Sequence, residues 1–406
     1  MRMIVLIAIA GLILAGVGVS MAAESDGRFV QDRFAIGFWV DPPADQITDA
    51  RYKEIADAGF TFVLGAFGPK TESDVKKQLA LCKKYGMTAI VRDLTNSKNL
   101  PNTPECWGYY IVDEPGAGAI PSIKTRIEEL RKLRPGKLAY FNLNPDYAPL
   151  SVLGTSSYDE YIKRFAEETT CDVLCMDYYP MLTPTADGRD GYCGNLDVMR
   201  KYALQQNIPF WNFFNTMPFG PHNDPTESHL RWQIYASLAY GAKGVLYFCY
   251  WTPRSPEFPK GGAIITAEGH KTRHYEQAKR INKAIGNLGP TLMQLTSIDV
   301  IRIKPGEDST EALKGTPIKS ISDGDYLVGV FKHSDGRRAV LLCNYDANYG
   351  MWPTVKFDLP DDKVVEVDQS NGKEKIVMDD SPDTPGLQLS LDSGEGRLFL
   401  LPATRI

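Results

Sequence analysis

Beyond its N-terminal segment, this chain of 406 residues has no apolar run long enough to cross a bilayer. Lysine and arginine are scattered instead of clustered among aromatics, and a net charge of -5 offers a polyanion no attractive field, so nucleic acid is excluded as a partner. No glycine-rich phosphate loop follows the first predicted strand, which argues against nucleotide-binding open sheets. There is no Gly-x-Ser-x-Gly elbow for serine-based hydrolysis. The first strand ends in Phe38-Trp39-Val40-Asp41, without the histidine pair of a binuclear metallohydrolase. Cys171 and Cys175 have no second pair and no nearby histidine, so four zinc ligands do not converge. His270 and His274 lie one turn apart on an outer helix and read as a solvated face. No metal and no cofactor is expected, and no internal repeat or low-complexity tract occurs.

At the N-terminus, Arg2 precedes an apolar run over 3–19, and Ser20-Met21-Ala22-Ala23 follows with small residues of the secretory cleavage type. Residues 1–23 are therefore expected to be a signal peptide, giving a secreted or periplasmic protein that leaves the membrane after cleavage. A retained anchor is the alternative, and no cysteine follows that could carry a lipid. The seven cysteines are Cys82, Cys106, Cys171, Cys175, Cys193, Cys249 and Cys343. They are dispersed through apolar segments, which suits buried small hydrophobes at least as well as a disulfide framework.

Short apolar runs suited to buried parallel strands occur at 34–40, 61–67, 87–93, 107–112, 138–143, 173–179, 209–215 and 244–251. Amphipathic helical stretches alternate with them, at 49–58, 72–85, 122–133, 158–168, 196–206, 226–240 and 270–288. Spacing such as Val75, Leu79, Cys82 supports these helices, and Gly59, Gly86, Gly136 and Gly241 stand where left-handed caps would end them. One crossover, 94–106, has no helical period and is expected to be a loop. Eight strands alternating with helices predict an α/β fold, a TIM (β/α)8 barrel over 30–295. From about Ser297 the pattern changes to alternating runs separated by Asp323-Gly324, Asp335-Gly336 and Asn371-Gly372. Residues 296–406 thus predict a small antiparallel all-β, sandwich-like domain with a packing role.

A barrel places its chemistry where strands end. The strand ends here carry Trp39 and Asp41; Arg92 and Asp93; Asp113 and Glu114; Asn142 and Asn144; Asp177, Tyr178 and Tyr179; Asn212 and Asn215; Tyr250 and Trp251. Carboxylates, amides and flat aromatics at one mouth suit a sugar, whose hydroxyls take hydrogen bonds while its C–H faces stack on rings. The sharpest of these segments is Trp107-Gly-Tyr-Tyr-Ile-Val-Asp-Glu-Pro115, an apolar strand running into two adjacent acids that cost free energy to bury.

With an export signal and a C-terminal β domain, that segment resembles the (β/α)8-barrel glycoside hydrolases with an Asp-Glu-Pro motif at the end of strand four. The resemblance covers the barrel region. In that group the acid/base glutamate stands at this place, usually after an asparagine; Glu114 matches it, with Asp113 in the asparagine position. The group's nucleophilic glutamate at the end of strand seven has no match, since Trp211-Asn-Phe-Phe-Asn-Thr-Met217 offers only amides. The resemblance implies a secreted glycosidase acting on an oligo- or polysaccharide, with Glu114 as general acid and Asp113 tuning it. Asp177 is the best second carboxylate, and Glu257, after strand eight, is held in reserve. Trp39, Asp41, Arg92, Asn142, Asn144, Tyr178, Tyr179, Asn212, Asn215, Tyr250 and Trp251 are the expected sugar contacts. A chitinase-like reading ranks lower, because Val112 stands two residues before Glu114. Two bland readings stand beside these: Glu114 as a structural partner of Arg92, and a barrel that binds carbohydrate or joins a surface assembly without turnover.

Overall fold

The computed structural model describes residues 26–182, 186–360, 363–381 and 383–403; the expected leader lies outside them. Eight parallel strands, β1 Ala35–Phe38, β2 Phe62–Gly65, β3 Thr88–Arg92, β4 Cys106–Asp113, β5 Leu138–Asn142, β6 Leu174–Asp177, β7 Phe210–Asn215 and β8 Gly244–Phe248, form two arcs in the orders β1-β8-β7-β6 and β2-β3-β4-β5. The arcs close on each other. At one seam Thr61 N donates to Ile36 O at 2.9 Å, and at the other Leu143 N donates to Cys175 O at 2.8 Å. The helices are α1 Asp49–Asp57, α2 Glu72–Lys84, α3 Ile120–Leu133, a short α4 Leu150–Leu153, α5 Tyr158–Glu168, α6 Arg189–Gln206, α7 Glu227–Ala239 and α8 Arg273–Met293. This is the predicted TIM barrel, and 94–105 contains no helix, as expected.

Strand alternation divides the barrel core in two. Leu64, Ile90, Trp107, Tyr140, Cys175, Trp211 and Leu246 point inward, and Trp107 and Trp211 stack at 6.0 Å. Val63, Val91, Phe141, Met176, Phe214 and Val245 point outward to the buried helix faces. Helix starts are fixed locally: Thr71 and Asp74 form a capping box on α2, and Ser157 caps α5 through Glu160 N. α6 begins at Arg189, ahead of the expected 196, because Gly191 and Gly194 obscure its period while Tyr192, Cys193 and Asn195 are buried.

The C-terminal strands are β9 Leu295–Ile303, β10 Ile318–Ile321, β11 Tyr326–His333, β12 Arg338–Asn344, β13 Thr354–Phe357, β14 Val365–Val367, β15 Glu374–Ile376, β16 Leu387–Gln388 and β17 Gly396–Leu401. They build a six-stranded sheet, β15-β14-β17-β12-β11-β9, and a three-stranded one, β10-β13-β16, both antiparallel. Val328, Val340, Leu342 and Phe399 face the smaller sheet. Leu327, Leu341, Cys343 and Leu398 face the other way and merge with the outer core of the barrel beside Trp232 and Tyr235 of α7. Tyr345 packs on Trp232 at 5.2 Å, and its carbonyl accepts from Arg189 at 2.9 Å.

Candidate active site

The site rests on one extra residue in β4. Along the β4–β5 pairing Tyr110 opposes Tyr140, but Val112 opposes Phe141 and Asp113 opposes Asn142, so Ile111 is bulged out. Tyr140 faces the barrel interior and Phe141 the helices. The bulge reverses the parity of the next two residues: Val112 turns outward and Asp113 inward, beside Asn142. Were Ile111 paired in the ladder instead of bulged, Asp113 would face the outer core.

Asn142 then joins two acids. Its Nδ2 donates to Asp177 Oδ1 at 2.8 Å and to Asp113 Oδ1 at 3.2 Å. Asp177 is buried at the end of β6, facing the Tyr179 hydroxyl and the carboxyl of Glu114, which is exposed at the mouth. Burial, then the charges of Glu114 and Asp113, raise the Asp177 carboxyl well above the usual range. Burial also raises Glu114; the bond to Asp177 opposes the rise and the charge of Glu257 adds to it. Asp113 is pushed up to about 6, by burial first and by Glu114 second. Two carboxyl groups this close favour sharing one proton, because ionising both would set like charges side by side.

Glu114 is presented by an uncommon backbone. Its φ is 46°, the left-handed region that a non-glycine residue enters at a cost. Three hydrogen bonds hold it there. Glu114 N donates to Asn142 O at 2.9 Å, Asn144 Nδ2 donates to Glu114 O at 2.9 Å, and the Tyr161 hydroxyl of α5 donates to Pro115 O at 2.7 Å. Asn144 is thereby a brace for Glu114 and not the expected sugar contact.

The other expected contacts divide sharply. Trp39 forms the floor of the mouth against Phe67, Tyr110 and Phe213. Arg92 stands at the rim, where its charge and that of Asp113 both act on the Tyr110 hydroxyl. No ion pair joins Arg92 to Glu114 among the described residues. Tyr179 lines the wall, with Phe219 and Phe248 at 5.2 and 5.1 Å.

Six expected contacts are corrected. Asp41 is buried under the N–H groups of Phe67 and Gly68 at 3.0 and 2.8 Å and the amide of Gln78 at 3.0 Å, tying the loops after β1 and β2 together. Asn212 turns outward to Tyr192 and Ser237 at 2.6 and 3.1 Å. Tyr250 faces the helices, with its hydroxyl on Glu54 at 2.8 Å. Trp251 is buried under the Arg51 guanidinium, 5.0 Å from the ring centre. Tyr178 packs in the outer core against Tyr192. Asn215, where a strand-seven nucleophile would stand, is wholly buried and accepts from Met181 N at 3.4 Å. Asn212, Tyr178, Tyr250 and Trp251 leave the strand ends on the helix side, whereas Asp41 and Asn215 are closed off by loop backbone.

Residues that the strand-end rule did not single out also shape the mouth. Tyr147, half exposed on the β5–α4 loop, stands within charge reach of Asp177 and Glu114 and edge-on to Tyr178 at 5.1 Å. Phe219, His222 and Phe258 come from the loops after β7 and β8. Their signal was position in a loop leaving the C-terminal end of a strand.

No family model and no curated protein matches this chain. Among solved structures it is similar to a catalytic mutant of Gan42B, a GH42 β-galactosidase from G. stearothermophilus, with 10% identity, a TM-score of 0.57, and 92% of this chain and 100% of that one covered. It is also similar to a β-galactosidase from Bacillus circulans sp. alkalophilus, with 9% identity, a TM-score of 0.55, and 91% and 99% covered. At these identities the likeness is one of fold, and the fold of this chain is that of a TIM barrel continued by antiparallel β-structure, shared with glycoside hydrolases.

Proposed function

We propose that the protein is a glycoside hydrolase, acting outside the cytoplasm on an oligo- or polysaccharide, with Glu114 as proton donor. The observation that carries this reading is the exposed Glu114 carboxyl at the barrel mouth, in contact with the buried Asp177 and raised with it. As the bond from the anomeric carbon to the glycosidic oxygen breaks, the shared proton passes through Glu114 to the departing oxygen. Water then adds its oxygen to the anomeric carbon, and its spare proton returns to a carboxylate.

Asp177 is the second carboxylate of the site, but as the partner of Glu114 on the same side. Groups in contact are closer than the ~5 Å of a retaining pair or the ~6.5–9.5 Å of an inverting one. Glu257, the reserve carboxylate, stands across the mouth: its loop leaves β8, four strands around the barrel from β4, and its charge reaches Glu114. The expected test result is that Glu114→Gln lowers turnover of a cleaved glycan by ~10²–10⁴-fold while leaving its affinity intact. A carbohydrate-binding barrel without turnover is the second reading, favoured by the closed amide of Asn215 where strand seven would carry a nucleophile. A wild-type protein that binds one glycan of a broad panel and cleaves none would establish that reading and end the first.

A further inference from the structure

The two flanks of the mouth differ in chemistry. From β3 to β5 the rim is polar, with Arg92, the Tyr110 hydroxyl, Asp113 and Asn142. From β6 to β8 it is a cluster of five partly buried rings. Phe219 is its centre, 5.2 Å from Tyr179, 4.5 Å from His222, 5.1 Å from Phe248 and 5.9 Å from Phe258. The rings rest on Met217, Cys249 and Ala263, all buried.

This cluster adjoins the acids directly. The Tyr179 hydroxyl faces Asp177 while its ring belongs to the cluster, and Phe258 follows Glu257, whose charge reaches Glu114. Whatever leaves from the protonated oxygen in this direction meets these rings, with the exposed Glu257 carboxylate at their edge. A sugar there would bring several hydroxyl groups out of water, and each costs free energy unless it finds a partner. The five rings have few to give: the Tyr179 hydroxyl is turned to Asp177, and the other polar group among them is His222, whose Nδ1 is buried and unpaired.

We infer that the β6–β8 flank is a leaving-group site for an apolar aglycone, so that the bond cut joins a sugar on the polar flank to an alkyl or aryl group on the ring cluster. The inference rests on the glycosidase reading and narrows its substrate class, replacing the second sugar with an apolar group.

The test compares methyl, hexyl and octyl glycosides of one sugar with the corresponding disaccharide, because these alcohols differ little as leaving groups. The expected result is a kcat/KM that rises with chain length, by about tenfold or more from methyl to hexyl as methylene groups leave water. Phe258→Ser, at the edge of the cluster, removes most of that rise, and Phe258→Leu, which keeps the site apolar, retains it. Calorimetric binding to Glu114→Gln repeats the comparison without turnover. If no glycoside is cleaved but the hexyl compound still binds more tightly than the methyl one, the apolar site stands and the glycosidase reading falls. Equal values for methyl and hexyl, a preference for the disaccharide, or no binding of any alkyl glycoside overturns the inference.

Discussion

At the scale of single residues, the shared proton makes the pH profile diagnostic. The buried Asp177 raises the pair by holding a second carboxyl against Glu114, so the active, singly protonated form is lost as pH rises. In Asp177→Asn an amide donates to Glu114 and favours its charged form. The alkaline limb of kcat/KM should therefore move to lower pH, with kcat down by about tenfold or more; an unmoved limb would show that the two groups do not titrate together. Asp41 gives the matching test of a scaffold acid. Burial pushes its carboxyl up to about 7 from 3.8, so its contribution to stability is full below about pH 4 and is lost as pH rises through about 7. Asp41→Asn removes that loss, and the buried, unpaired Oε1 of Gln78 is available to the new amide. It should be more stable than the wild type by ~1–3 kcal/mol at pH 8 and no more stable at pH 4, by chemical denaturation, with turnover unchanged. Sequence located these acids at strand ends, but not on which side of each strand they lie. Asp113 and Asn142 turn inward and Asn212 outward because alternation is counted from the core, and only the packed core fixes the count.

At the scale of elements, apolar runs and helical spacing were enough to locate all eight barrel strands and the long helices between them, though not the short α4, because a parallel strand buried on both faces is apolar throughout. The Ile111 bulge was not legible in that way. It is a property of the β4–β5 pairing and leaves no mark in a run that reads Tyr-Tyr-Ile-Val. The same holds for the brace on Glu114 and Pro115, to which Asn144 and Tyr161 of α5 bond across 30 and 46 residues of chain. Deleting Ile111 takes out the extra residue, so Tyr110, Val112 and Asp113 alternate in, out and in, and Asp113 still faces the opening beside Asn142. Deleting Val112 as well brings Asp113 next to Tyr110 and turns it toward the outer core, so turnover should fall by at least ~10²-fold in the double deletion and by much less in the single one. Equal losses in the two variants would mean that side-chain packing, and not register, places the acids.

At the scale of the whole molecule, the six-stranded sheet is the shared wall of two cores, with Val328 and Phe399 on one face and Leu327 and Leu398 on the other. Turn pairs and alternating runs announced an antiparallel unit, yet alternation alone does not say that both sides of a sheet are covered. The cysteines sample most of this architecture: Cys106 and Cys175 lie in barrel strands, Cys193 in α6 and Cys343 in β12, and all seven are free and buried. Burial holds the thiols of Cys106 and Cys171 up at about 11. A thiol reagent at pH 8 should label none of the seven in the native protein and all of them after denaturation, whether or not reductant was present during purification. Fast labelling of one thiol in the native state would locate a region that opens on its own.

The backbone at Glu114 has a bearing on how this chain is kept as it is. Glycine or asparagine would sit there with less strain, so ordinary mutational drift toward a sturdier protein runs against the glutamate. A carboxylate can persist on that site only while something selects for the acid itself. Lineages that abandoned the chemistry and kept the barrel for binding should have exchanged Glu114 first, well before the residues of the core.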